Sequence, residues 1–327
     1  MSLKPILEIE GLSHSRNGVP VLNDINLKII QGETVAIVGP SGSGKSTLLD
    51  ILMGTISPTQ GEIYVDNVKV VEPSRDRGIV YQKYTLLDHE TVEMNVAIGP
   101  ILEKTNLPQR FLWSLKDKPI KFLRKLRIGS GWKTLEDPYL IESHVWLSKV
   151  GLSHAATRYP SQLSGGMQQR CAIAQCMIMR PKILLMDEPF GALDPKTRHD
   201  CQRIMLDIAQ ENIDAVANDK EPPVTVIFVT HDRAEAIKIA DRVIAISQFH
   251  PDGENGATIV FDAATPNFDP KNPVTFDFPK AMMMEEDITA AAMDPMNNGV
   301  KKQFHTFWRD VELGSVKGIF AGKKMTF

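Results

Sequence analysis

Three short apolar runs mark the chain: ETVAIVG (33–39), KILLMDEP (182–189) and VTVIFV (224–229). Runs of this length, rich in Val, Ile and Leu and bounded by glycine or acids, predict buried strands. Directly after the first, SGKSTLLDILMG (43–54) sets Leu48, Leu49, Leu52 and Met53 at helical spacing. LSGGMQQR (163–170) predicts a second kind of helix start, with two glycines behind a serine. Free N–H groups, close approach and the helix dipole suit such a start to an anion, yet no lysine accompanies it.

Other stretches carry weaker patterns. RFLWSLKDKPIKFLRKLR (110–127) has seven Lys/Arg against Asp117, with Ile120, Leu123 and Leu126 along one side after Pro119. It reads either as a solvated helical hairpin or as a basic foot, with Trp113 and Phe122, on anionic lipid. AQENIDAVANDKEPPVT (209–225) reads as a surface loop, on its Asn and Asp residues and the Pro222-Pro223 pair. FDAATPNFDPKNPVTFDFPK (261–280) has no steady period and predicts an extended linker. In VKKQFHTFWRDVEL (300–313), Val300, Phe304, Phe307, Trp308 and Val311 form one helical stripe. That stripe predicts a short helix docked on its own core or on a partner.

Chemistry enters between the first strand and its helix. Gly39, Pro40, Ser41, Gly42, Ser43, Gly44, Lys45 and Ser46 spell G-x-x-x-x-G-K-[ST], with Thr47 following. Loop N–H groups would wrap a β-phosphate, Lys45 would reach the β- and γ-phosphates, and the Ser46 hydroxyl would bind Mg²⁺. The second strand ends in Asp187 and Glu188. Asp187 is placed to hold the Mg²⁺ shell through water, and Glu188 to polarise an attacking water. The expected ligands are therefore ATP and Mg²⁺.

Composition adds boundaries. At 327 residues, 43% hydrophobic and 24% charged, the chain can bury an ordinary core. A net charge of -3 gives no global attraction to nucleic acid. No run approaches the ~18 apolar residues of a membrane span, and the first residues do not form a secretory signal. Cys171, Cys176 and Cys201 form no CxxC pair, which suits a reduced compartment.

With GPSGSGKST, LSGGMQQR, ILLMDEP, GALD (191–194) and VTHD (229–232) in this order, the sequence resembles an ATP-binding cassette ATPase over roughly residues 6 to 247. The resemblance implies an α/β fold: a P-loop NTPase core of mixed sheet flanked by helices, an antiparallel β subdomain, a helical subdomain and a C-terminal extension. The implied ATPase domain is 1–255, with the helical subdomain at about 83–165 and an insertion at about 100–140; 256–327 would be linker and extension. It also implies a head-to-tail dimer in which Ser164, Gly165 and Gly166 meet the γ-phosphate held by the partner's phosphate loop, with Gln168 lining the same face. Gln82 matches the family's glutamine loop, touching Mg²⁺ or the attacking water. Asp194 matches the loop that crosses the dimer, and His231 the histidine that contacts the γ-phosphate. The family's adenine-stacking aromatic is missing; its place falls near Arg16, whose guanidinium would stack on the base or rest in solvent.

The implied role is the ATPase of a membrane importer, held peripherally on the cytoplasmic face of the inner membrane. Its partners would be transmembrane permease subunits, a second ATPase subunit (identical or a close paralogue) and a solute-binding protein, with no nucleic acid. Long heptads, a zinc insertion or a second phosphate loop would point to DNA-repair or translation ATPases, and none is present. Lipid movement or export through separate membrane subunits is the alternative. DEPFGALDPKTRHDCQ (187–202) resembles the importer group serving nitrate, sulfonates and taurine, though KYTLLDHETVEMNV after Gln82 lacks that group's frequent tryptophan.

Overall fold

The three apolar runs become neighbours in one sheet. A computed structural model describes residues 4–83, 85–104, 138–249, 255–266 and 277–294. Their elements belong to two units, one drawn from Met1–Gln82 and Pro181–Phe327, the other from Lys83–Arg180. The basic stretch at 110–127 and the aromatic stripe at 300–313 lie outside the described residues.

In the first unit, β3 (Thr34–Val38), β6 (Arg77–Val80), β7 (Ile183–Asp187), β8 (Thr225–Thr230), β9 (Arg242–Ser247) and β10 (Thr258–Ala264) form a mixed sheet in the order β10-β9-β3-β8-β7-β6. All neighbours are parallel except β10, which runs antiparallel to β9. Strands covered on both faces need apolar side chains on both, which is why they read as unbroken runs. Val35, Ile37, Ile183, Leu185, Ile227, Val229, Ile244 and Ile246 share a core with Leu48, Leu49, Ile51 and Leu52 of helix α1 (Lys45–Met53). The alternate residues Ala36, Met186, Phe228 and Val243 are also fully buried, and by strand alternation they belong to the opposite face. There α6 (Arg233–Ile239) packs on β3, β8 and β9, and α5 (Pro195–Ala217) packs on α6.

A second, antiparallel sheet has the order β2-β1-β4-β5, from β1 (Pro5–Arg16), β2 (Val19–Ile30), β4 (Gln60–Val65) and β5 (Val68–Lys69). Its longest hairpin turns at Asn17 and Gly18, both at positive φ (53° and 80°). That is the two-residue turn whose twist matches the flanking strands, and Asn-Gly accepts it at least cost. The sheet's inner residues, among them Ile6, Ile9, Leu12, Ile25 and Ile29, join the same core as α1.

A buried charge group ties these sheets together. Arg242 of β9 is 1% exposed. Its guanidinium donates two hydrogen bonds to Asp262 of β10, at 2.6 and 2.5 Å, and a third to the Lys28 carbonyl of β2 at 2.9 Å. Glu33 lies 3.5 Å away and accepts from the Ile30 N–H. Burial pushes the Glu33 carboxyl up to about 7, against the opposing pull of Arg242. Burial also raises neighbouring Asp241 to about 6.

Two expectations are corrected. The run at 209–225 is not all loop: α5 continues to Ala217, and only the stretch from Asn218 to Val224 connects it to β8. Ile208, Ala209, Asn212 and Val216 fall on its buried side. Asn212 bonds the Gly32 and Val224 carbonyls at 2.9 and 2.6 Å, so its polar amide is satisfied inside. The linker expected over 261–280 likewise begins as strand, since β10 runs to Ala264, and it ends in helix α7 (Phe278–Ile288). Local composition there gave no sign of β9, the partner that makes β10 a strand. Helix α7 buries Met284 and Ile288 and runs into a π-turn whose Ala292 carbonyl accepts from Ser247 Oγ at 2.7 Å.

The second unit packs α2 (Val92–Lys104), α3 (Pro138–Lys149) and α4 (Gly165–Met177) against one another. Asn95 of α2 is fully buried and pins the preceding loop through the Leu87, Glu90 and Thr91 carbonyls.

The raised Glu33 carboxyl gives a signed prediction. A folded pKa of about 7 against 4.5 means that the native state holds a proton the unfolded chain releases. That stabilisation is complete below pH 4.5 and is lost as pH rises through 7. Thermal melts of wild type and Glu33→Gln between pH 5 and pH 8.5 are expected to converge or cross, with wild type losing roughly 2–3 kcal/mol relative to the variant. A constant difference across that range would refute the assignment.

Candidate functional site

The site residues of the first unit sit at the carboxyl ends of four adjacent parallel strands. Val38 of β3 pairs with Thr230 of β8, Val229 of β8 with Asp187 of β7, and Met186 of β7 with Val80 of β6. The register therefore brings the phosphate loop, His231, the two acids and Gln82 to one edge. Crevices at such strand ends are where open α/β sheets bind ligands.

The phosphate loop is built by glycines with distinct jobs. A Cβ on Gly39 would collide with the Ile246 carbonyl of β9, and a Cβ on Gly44 would press on Leu22 and Val21 of β2. Gly42 and Gly44 hold φ of 83° and 82°, a region other residues enter only with strain. Gly44 caps α1, whose first turn carries no acid. Its unpaired N–H groups and dipole suit a phosphate. Lys45 Nζ closes back on the loop, donating to the Gly39 and Pro40 carbonyls at 2.8 Å each. Burial lowers its pKa, while Glu188 and then Asp187 pull it back up.

The acids are held differently. Asp187 accepts from Ser46 Oγ at 3.2 Å. Burial raises its pKa, the Ser46 bond opposes that, and Glu188 and Asp50 add to it. Glu188 follows at φ 45°, and its N–H donates to the Val229 carbonyl at 3.0 Å. Its carboxylate receives Gln82 Nε2 at 3.3 Å on one oxygen and lies 3.5 Å from His231 Nδ1 on the other. The structure thus brings Lys45, Ser46, Gln82, Asp187, Glu188 and His231 together. Among the described residues no group of three His, Cys, Asp or Glu side chains could hold a metal. Ser46, Gln82 and Asp187 instead offer one hydroxyl, one amide and one carboxylate. That oxygen set fits Mg²⁺, which takes few protein ligands and keeps water and phosphate for the rest.

The remaining expected residues have structural duties of their own. Asp194 caps α5, accepting from the Thr197 N–H at 3.2 Å; hydrogen bonding from the Thr197 side chain, and then from this N–H, lowers its pKa. Ser164 caps α4, with Oγ accepting from the Met167 N–H at 3.4 Å, and Gly165 and Gly166 form the first turn. The Gln168 amide donates to the Pro160 carbonyl at 2.9 Å. Arg16 is exposed at the end of β1, one residue before the Asn17-Gly18 turn, paired across to Val19.

Sequence reading missed the residues around His231. Glu235, 7% exposed, accepts from Gln202 Nε2 of α5 at 2.8 Å and from Thr230 Oγ1 at 3.0 Å. Thr230 Oγ1 accepts in turn from the Asp232 N–H, and Asp232 caps α6 through the Glu235 N–H. Burial raises the Glu235 pKa, opposed by the Gln202 and Thr230 bonds. The spacing Asp232-x-x-Glu235 was visible as a capping-box pattern, but nothing in it pointed to Gln202.

A phosphate loop and a carboxylate pair at the ends of two parallel strands, with β8 between them, define a P-loop nucleotide hydrolase. Known proteins narrow the class. Residues 22–191 match the family described as ABC transporter. The glutamine transport ATP-binding protein GlnQ of Escherichia coli is 36% identical over 250 residues, covering 74% of this chain and 88% of that protein. The sulfate/thiosulfate import ATP-binding protein CysA 1 of Agrobacterium fabrum is 35% identical over 275 residues, covering 83% and 68%. Among solved structures, a dimeric ATP-binding cassette in a post-hydrolysis state with ADP and Pi superposes with TM-score 0.57 at 28% identity, over 80% of this chain and all of that one. The chain belongs to the ABC transporter family and is an ATP-binding, ATP-hydrolysing cassette.

The crowding at Gly39 makes a direct test. Gly39→Ala forces the loop off the Ile246 carbonyl or β9 off β3, a strain of about 1–3 kcal/mol. ATP affinity, measured by titration calorimetry on folded protein, is expected to fall roughly ten-fold or more. Unchanged affinity would mean that the loop does not hold the nucleotide in this geometry.

Proposed function

We propose that this chain is the ATPase subunit of a membrane importer, working as a head-to-tail pair on separate permease subunits. The observation that carries the chemistry is the Glu188 carboxylate, held between Gln82 and His231 beside the Lys45 loop. Loop N–H groups and Lys45 bind the β- and γ-phosphates, the ammonium exchanging its Gly39 and Pro40 carbonyls for phosphate oxygens. Ser46, Gln82 and Asp187 would hold Mg²⁺. When bound, the ion neutralises charge on the β- and γ-phosphates. Glu188 orients and deprotonates the attacking water, and His231 contacts the γ-phosphate. Ser164, Gly165 and Gly166 of a second copy close over the same phosphate through the open helix start of α4. Asp194 crosses at the same interface. A helix start without a lysine fits a place where the other copy supplies Lys45.

The relatives support the importer reading. GlnQ is named for glutamine and CysA 1 for sulfate and thiosulfate, both small polar solutes. Phe190-Gly191-Ala192-Leu193-Asp194 with Thr197-Arg198 favours a solute of the nitrate, sulfonate and taurine kind. No helix among the described residues is long and apolar enough to cross a membrane. In this reading the solute's path lies in separate permease subunits, and the cassette works at the cytoplasmic face of the membrane. Isolation of the protein from its native membrane is expected to bring permease subunits with it. Recovery with nucleic-acid enzymes instead would overturn the reading.

Two substitutions test the chemistry. Glu188→Gln keeps the phosphate cradle and removes the base, so kcat is expected to fall by about 100-fold or more at unchanged ATP affinity. ATP is expected to trap that variant as a dimer in gel filtration; a monomer with ATP bound would count against the paired arrangement. Ser164→Arg puts a cation and bulk at the start of α4 while leaving each copy's own loop intact. Turnover is expected to drop roughly ten-fold or more, and normal turnover would show that this helix start does not face nucleotide.

A further inference from the structure

His231 has little of its own to hold it. Its ring is 61% exposed, and its carboxylate neighbour, Glu188, stands 3.5 Å away. Where the imidazole sits is therefore decided by the backbone on either side. Both flanks lead to Glu235. Thr230, before the histidine, gives its hydroxyl to one Glu235 oxygen, and Asp232, after it, gives its N–H to that same hydroxyl. Asp232 also caps the helix through the Glu235 N–H. The second Glu235 oxygen is taken by Gln202 of α5. Gln202 stands eight positions beyond Asp194, the N-cap of the same helix, a distance of about two turns and 12 Å along a rigid rod. Arg198, between them, donates to the Leu193 carbonyl at 3.4 Å and so fastens the turn before α5 to the helix.

We propose that Glu235 is a positioning residue for hydrolysis: it ties α5, and with it the Asp194 turn, to the backbone on both sides of His231. Movement of the Asp194 turn then carries the imidazole with it. The linkage is buried at Glu235, and a satisfied buried carboxylate transmits position well because breaking either bond leaves an unpaired polar group. The inference rests on the role given to His231 above.

The test compares four single variants and one double variant of the full chain by steady-state ATP hydrolysis and thermal melting. Glu235→Ala removes both side-chain bonds, and Gln202→Ala removes only the one to α5. Glu235→Gln can keep both, because the Gln202 amide can turn its oxygen toward the new NH₂ group. His231→Ala reports the underlying reading. Glu235→Ala is expected to lower kcat about ten-fold and Gln202→Ala about three-fold, with KM for ATP within about two-fold, since the phosphate cradle is untouched. Glu235→Gln is expected to recover most of the lost rate. The Gln202→Ala/Glu235→Ala double variant should be no slower than Glu235→Ala alone. A normal kcat in folded Glu235→Ala or Gln202→Ala overturns the proposal, as does Glu235→Gln as slow as Glu235→Ala. If Glu235→Ala does not fold, Gln202→Ala, half-exposed on α5, decides. A normal kcat in His231→Ala instead removes the reading of His231 itself, so the two failures are distinguishable.

Discussion

The parallel hydrogen-bond ladder through β3, β8, β7 and β6 fixes the geometry on which catalysis depends. Residues from 39 to 231 meet only because these strands start and stop in step. Val38 opposite Thr230 and Asp187 opposite Val229 set the loop, the acids and the histidine side by side. A slip of one residue would send every strand side chain to the wrong face. The buried alternation of Val35 and Ile37 against Ala36 and Val38 makes such a slip costly. Packing on both faces thus does more than hold the sheet together. It sets how far the Lys45 loop stands from Glu188.

The site spends some of that packing energy on strain. Glu188 sits at φ 45°, a left-handed backbone that a long side chain adopts only under constraint. The constraint is visible on both sides. Its N–H is bonded to Val229, and Phe190, two residues on, is buried edge-to-face against Phe228. The turn lifts the carboxylate out of the sheet toward Gln82 and His231 instead of letting it follow the strand. Asp187, one residue earlier, stays in strand geometry and meets Ser46. Two adjacent acids acquire two environments from one backbone turn, Asp187 beside the Ser46 hydroxyl and Glu188 beside Gln82 and His231.

What could be read from the sequence follows from how local each signal is. The phosphate loop, the first helix and the apolar strands are written within a dozen residues each, and they stand where expected. So does the helix start at LSGG, which Ser164 caps; the capping of α5 by Asp194 is equally local but was not foreseen. The surface loop expected at 209–225 failed because Asn212 looked polar and therefore exposed. Its partners, the Gly32 and Val224 carbonyls, lie on other elements and make burial affordable. The linker expected at 261–280 failed at its start for the same kind of reason, since a strand's identity depends on its neighbour. Gln202 carries no local signal of its own, because its use is defined by Glu235, 33 positions away.

The C-terminal side of the chain is more than an appendage to this machinery. Asp262 of β10 carries the bidentate bond to Arg242, and Arg242 reaches across to the Lys28 carbonyl of the antiparallel sheet. Removing one member of such a buried group strands the others without a partner, the costly way to break an ion pair. Gly256 and Ala257 add to the tie: the Ala257 N–H donates to Val21, its carbonyl accepts from Asn23, and Gly256 crowds Val21 so closely that a side chain there would clash. Val21 and Leu22 are the residues that back Gly44 of the phosphate loop. Residues 256–262 are therefore linked to the nucleotide end of the sheet by one layer of packing. A fold truncated near residue 255 would lose that support, and the loop would lose its backing before it lost any residue of its own.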